Sequence, residues 1–121
     1  MSKVHSCPTT AKRARIALLS NPEAPGSLGE LPRLRAFCAE HPDIFHYEVE
    51  EAAQVGEAMR SIARVRPTLL AINGGEPTVK AALAELGQFG DAPPPLEVIA
   101  DGKVDGLRRL VEMARSGEVA R

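Results

Sequence analysis

No apolar run in the sequence approaches the ~18 residues that a membrane-spanning helix needs, so none is expected. The first fifteen residues carry Lys3, Lys12, Arg13 and Arg15 but no apolar stretch. That excludes a secretory signal and predicts a frayed tail over 1–14. Two cysteines, Cys7 and Cys38, are too few for a disulfide framework. A reducing, cytoplasmic location is the default expectation. Cys7 has no base within sequence reach, so no nucleophilic role is assigned to it. The net charge is -1, which leaves no broad basic surface for nucleic acid. There is no internal repeat, and no low-complexity segment beyond Pro93-Pro94-Pro95.

What is present is an ordinary globular composition. In 121 residues, 44% are apolar and 26% charged, enough for one domain with a real core. The patterning places that domain over 15–117, with a short tail over 118–121.

The chain is organised around Asn73-Gly74-Gly75-Glu76-Pro77-Thr78. Leu69-Leu70-Ala71-Ile72 precedes it and reads as a buried strand. Val79, Ala82, Leu83 and Leu86 follow at helical spacing and predict an inner stripe. Two glycines allow a sharp strand-to-helix turn. Pro77 suits a first helical residue. The free N–H groups of such a helix start can hold a phosphate. The same six residues also make a plain βα turn, and both readings stand at this point.

Elsewhere the pattern alternates strand and helix. Ile16-Ala17-Leu18-Leu19 is apolar on both faces, as in a central parallel strand. Asn21-Pro22 ends it, and Ser27-Leu28-Gly29-Glu30 resembles a capping box. Leu31, Leu34 and Cys38 form the inner stripe of the first helix, with Phe37 beside them. Strand 44–50 alternates, with His46, Glu48 and Glu50 on a face expected to be wet. A helix over 52–65 turns Ala52, Val55, Met59 and Ile62 inward. A strand over 96–100 carries Glu97. A last helix opens at Asp101-Gly102, turns Val104, Leu107, Leu110, Val111 and Ala114 inward, and is capped by Gly117. The sum is α/β: a three-layer, doubly wound parallel sheet of about four strands in order 2-1-3-4, with helices on both faces. Ligands bind such sheets outside the carboxyl ends of the strands, at the switch point between strands one and three. Asn21-Pro22 and Asn73-Gly74-Gly75 both fall there.

In this order and spacing, over about 15–109, the chain resembles the N-terminal catalytic domain of the diacylglycerol kinase family. Sphingosine kinases and NAD kinases are more distant relatives of that domain. Gly74-Gly75-Glu76-Pro77-Thr78 stands where the family has Gly-Gly-Asp-Gly-Thr, and Asn21-Pro22 stands where its first strand ends. The resemblance implies an ATP-binding domain that transfers phosphate to a lipid or small hydroxyl acceptor with Mg²⁺. Carried over by position, Asn21, Gly74, Gly75, Thr78 and Gly102 would hold the nucleotide. Glu76 would be the catalytic and metal-orienting carboxylate. Glu76 in place of aspartate moves that charge outward by one methylene. Pro77 in place of glycine removes a backbone N–H. The family's second, mainly β, lipid-binding domain has no counterpart in the sequence. Weak nucleotide binding with negligible turnover, a pseudoenzyme, is therefore the expectation. The alternative is a non-catalytic module that pairs with itself or with a separate partner protein through its edge strands.

Remaining clusters read more simply. His46, Glu48 and Glu50 could ligate a metal, but a solvated strand face explains them. His41 is expected to bond the last carbonyls of the first helix. Arg60, Arg64 and Arg66, like Arg108 and Arg109, fit solvated helix faces. Cys38 fits a small core residue.

Overall fold

The structure, a computed structural model, describes residues 15–21, 31–91, 93–99 and 104–116. The tail expected over 1–14, Cys7, the capping box expected at Ser27, and the turn and cap expected at Gly102 and Gly117 lie outside them. The elements are β1 (Ile16–Ser20), α1 (Leu31–Ala39), β2 (Ile44–Glu48), α2 (Val55–Val65), β3 (Leu69–Asn73), α3 (Glu76–Ala84), β4 (Leu96–Val98) and α4 (Val104–Ser116). Short 3-10 turns, Ala52–Gln54 and Leu86–Phe89, precede α2 and follow α3.

All three strand pairings are parallel and the order is 2-1-3-4, as the alternation of strands and helices predicts. β1 and β3 are buried along their whole length, because helices cover both faces of the sheet. Ile16, Leu18, Ile44, Leu69 and Ala71 form one core with Leu34, Phe37 and Cys38 of α1 and Leu107 and Val111 of α4. Ala17, Leu19, Leu70 and Ile72 form the other with Val55, Met59 and Ile62 of α2 and Ala82 of α3. Each buried Val, Leu, Ile, Phe or Met among them stabilises the fold by about 1.5–3 kcal/mol relative to exposure. Among the described residues, no helix is long and apolar enough to cross a membrane.

Several local expectations are corrected. Pro77 is the second residue of α3. The helix starts at Glu76 because Gly75, extended at φ -82°, accepts from both Thr78 N (3.0 Å) and Val79 N (3.1 Å). Leu83 is half exposed rather than inward. The inner stripe of α3 runs through Thr78 and Ala82, with Val79 packed beside them. Leu86 rejoins the core because the chain tightens to a 3-10 turn after α3. The segment 52–54 is likewise 3-10 rather than α, and Ala52 is only half-buried.

The wet face of β2 is drier than its alternation suggests. The His46 side chain is only 11% exposed. α1 lies over this face and anchors there, Arg35 donating to both Glu48 carboxylate oxygens at 2.7 Å. β4 is shorter than expected. Glu97 and Val98 are both exposed, whereas Ile99 is buried and donates its N–H to Ile72 O at 2.8 Å.

The ends of the elements are secured as their chemistry suggests. His41 Nδ1 lies 2.7 Å from Phe37 O, at the C-terminus of α1. Arg15 Nε donates to Val65 O and Arg66 O, both at 3.0 Å, placing a cation where the α2 dipole is negative. Arg66 closes α2 in the left-handed region at φ 56°.

Candidate functional site

The carboxyl ends of β1 and β3 form the crest of the sheet. The ladder continues one step beyond β1, with Asn21 N donating to Asn73 O at 2.7 Å. Both strands end in polar residues that are nonetheless buried, Ser20 and Asn73 completely and Asn21 to within 1%. Side chains alternate between faces along each strand, so Asn21 belongs to the α2–α3 face and Ser20 and Asn73 to the α1–α4 face.

On the α2–α3 face, Asn21 Nδ2 donates to Thr78 Oγ1 at 2.8 Å. Both residues are buried, each 1% exposed. This bond ties the end of β1 to the first turn of α3. Thr78 Oγ1 is thereby engaged as an acceptor from the end of β1. Gly74 is required by this arrangement. A Cβ there would stand 3.0 Å from both Cβ and Oγ1 of Thr78. Its φ is not positive, so space rather than backbone freedom selects glycine. Gly75 is different: an added Cβ would meet only Pro77 Cδ, at 3.6 Å, so this glycine borders open space.

The helix start offers fewer donors than a plain N-terminus. Pro77 has no N–H, and Thr78 and Val79 donate to Gly75 O. The N–H groups of Gly75 and Glu76 carry no hydrogen bond among the described residues. The Glu76 carboxylate points to solvent, 77% exposed, 3.6 Å from Lys80 Nζ. No group of three or more His, Cys, Asp or Glu among the described residues could hold a metal ion.

On the α1–α4 face lies a second polar cluster that the sequence reading did not assemble. Asn73 Nδ2 donates to Ser20 Oγ at 3.3 Å, and Ser20 Oγ lies 2.8 Å from His46 Nε2. His46 Nδ1 in turn faces Glu48 Oε2 at 3.8 Å. Burial holds the His46 imidazole below its ordinary protonation range; Glu48 opposes that effect and Arg35 reinforces it. Asn21 Oδ1 and Asn73 Oδ1 are buried without a hydrogen-bond partner among the described residues. A clue to this cluster was available, since Ser20 and Asn73 are polar residues terminating strands that are otherwise wholly apolar.

Two other features are less suited to a phosphate. A groove of about 570 Å³ runs along β2 and α2, but Glu48, Glu50 and Glu57 line it. The Cys38 thiol is pushed up to about 11, chiefly by burial, which suits a core residue and not a nucleophile.

No family model matches the chain, and no curated protein matches it. Among solved structures it is similar to a protein titled a "putative diacylglycerol kinase" from Bacillus anthracis str. Sterne, at 22% identity and a TM-score of 0.55. The match covers 73% of this chain and 31% of that one, so the chain spans about a third of its neighbour's length. At this identity the likeness establishes the fold: a four-stranded parallel α/β sheet of the kind found in that kinase-like structure.

Proposed function

We propose that this chain is a nucleotide-binding domain of the diacylglycerol-kinase kind, which takes the phosphates of ATP at the crest between β1 and β3. The observation that carries the reading is the Asn21–Thr78 bond. It holds the end of β1 and the first turn of α3 together at the switch point, where open parallel sheets bind ligands. The likeness to the kinase-titled structure supports the same reading.

In this reading Gly75 N and Glu76 N meet a phosphate oxygen at the α3 N-terminus. Asn21, Gly74 and Thr78 act indirectly, by fixing the turn. Gly102 lies outside the described residues and stands as a proposed phosphate contact on the resemblance alone. Glu76, exposed beside the turn, is the residue that would offer a carboxylate to an Mg²⁺ ion arriving with the nucleotide, and the ion would supply charge neutralisation there. Phosphoryl transfer relies on positioning and charge neutralisation. Two backbone donors and one exposed carboxylate supply little of either, so the expected turnover toward a lipid or small hydroxyl acceptor is negligible. Titration of the purified chain with ATP–Mg²⁺, followed by calorimetry or amide shifts, tests the reading. Shifts clustered at Gly74, Gly75 and Glu76 support it; no response at millimolar ATP removes it.

One observation favours a second reading, an interaction module. Val98 on the short strand β4 and Leu83 on α3 are large apolar side chains, each 50% exposed. Pairing through β4 with a second copy or a separate protein would cover Val98. Sedimentation of the chain distinguishes the two, because a strict monomer with no co-purifying partner speaks against pairing.

A further inference from the structure

The Ser20–His46–Asn73 cluster plays no part in the nucleotide reading, yet its hydrogens can be assigned. The Ser20 hydroxyl has one proton and two acceptor positions. Asn73 Nδ2–H fills one acceptor position. The other side-chain contact of Ser20 Oγ among the described residues is His46 Nε2. The arrangement that gives the hydroxyl proton an acceptor within this cluster sends it to Nε2, so that neutral His46 carries its own proton on Nδ1, facing Glu48 Oε2 at 3.8 Å. Asn73 Oδ1 is left buried and unpaired in this arrangement.

Protonating His46 reverses the chain. Nε2 takes a proton from solvent and becomes a donor to Ser20 Oγ. The Ser20 O–H then needs a new acceptor, and the unpaired Asn73 Oδ1 can supply one if the amide turns over. No covalent bond changes in Ser20 or Asn73. We propose that His46, Ser20 and Asn73 form a pH-driven hydrogen-bond relay, in which protonation of His46 turns the Asn73 amide at the foot of the Gly74-Gly75 turn. Where Asn73 Oδ1 stood, an amide N–H₂ then stands, so the buried end of β3 changes from acceptor to donor. His46 is here a positioning residue, acting on the crest through Ser20.

Among the described residues, the charged groups acting on His46 are Glu48 on its own strand and Arg35 of α1, while Arg108 and Arg115 of α4, on the same sheet face, are directed to the Phe37 ring and to Asp43. β1 and β3 carry no titratable side chain. Burial and Arg35 both disfavour the imidazolium, and Glu48 favours it. The reversal therefore belongs below the ordinary histidine range.

The relay needs no ligand, so its test stands apart from that of ATP binding. The full chain, labelled with ¹⁵N, is followed by imidazole and side-chain amide spectra from neutral pH downward. At neutral pH, Nδ1 is expected to be protonated and Nε2 bare. On acidification the Asn73 side-chain amide signals should move with the same midpoint as the His46 ring. In Ser20→Ala the His46 ring should still titrate while the Asn73 amide no longer follows it. A protonated Nε2 at neutral pH overturns the assignment, whether or not Ser20→Ala folds. An Asn73 amide indifferent to the His46 titration overturns the relay. So does unfolding before His46 protonates, because the reversed chain would then never form in the folded protein.

Discussion

Asn21 donates its side-chain amide to Thr78 Oγ1 at 2.8 Å across 57 residues of sequence, and both partners are buried. The end of β1 and the first turn of α3, far apart along the chain, are joined by this bond. Thr78→Val keeps the shape and removes the acceptor, leaving Asn21 Nδ2 buried and unpaired. The expected cost is about 1–3 kcal/mol of unfolding free energy, read by urea denaturation. The Asn21→Ala/Thr78→Val double variant should lose less than the sum of the single losses.

The two glycines of the turn should separate cleanly. Gly74→Ala drives a methyl group to within 3.0 Å of Thr78, and the backbone must shift to relieve it. A loss of about 1–3 kcal/mol is expected, as for other overpacked sites. Gly75→Ala meets only Pro77 Cδ at 3.6 Å, and its stability should stay within about 0.5 kcal/mol of the parent. Thermal melts of the two variants read the difference.

Stability should fall in two separate steps on acidification. His46 is held below its ordinary 6.5 by burial, so between its folded value and 6.5 the unfolded chain binds more protons. Its contribution is complete above 6.5 and is lost as pH falls below that. The Arg35 and Arg115 guanidinium groups hold Glu48 and Asp43 below their ordinary 4.5 and 3.8. Their contributions are present above those values and vanish as pH falls through the lower folded ones. Urea midpoints against pH should therefore show a first decline just below 6.5 that His46→Gln removes. The second decline, below 4.5, should survive that change.

Arg66 adopts φ 56° at the end of α2, a conformation costly for a residue with a Cβ. Its backbone, not its side chain, caps the helix and accepts from Arg15. Arg66→Gly should stabilise the fold by about 0.5–1 kcal/mol, seen as a higher Tm.

Exposed apolar residues test the pairing reading. Val98→Lys should leave stability within about 0.5 kcal/mol of the parent, because Val98 is half in solvent. If β4 pairs with another strand, the same change should abolish association in sedimentation.

Much of the fold was legible in the chain, because burial on both faces leaves a strong mark. The runs Ile16 to Leu19 and Leu69 to Ile72 can sit only in the middle of a covered sheet, which orders the strands 2-1-3-4. The switch point at Asn21 and Gly74 followed from that order. Less legible was whatever depended on a neighbour. Leu83 keeps helical spacing but faces water, since α3 ends at Ala84 and the chain tightens. His46 alternates like a wet residue but is covered by α1, which is clamped to Glu48 by Arg35.

The layered parallel sheet and the crest between β1 and β3 are written in the chain, because apolar periodicity encodes burial along it. Which polar groups are engaged at that crest depends on the folded arrangement. Thr78 is taken by Asn21, Ser20 bridges Asn73 and His46, and Glu76 turns to solvent. Hydrogen bonds between residues more than 25 apart depend on distance and direction in space, which no local pattern carries.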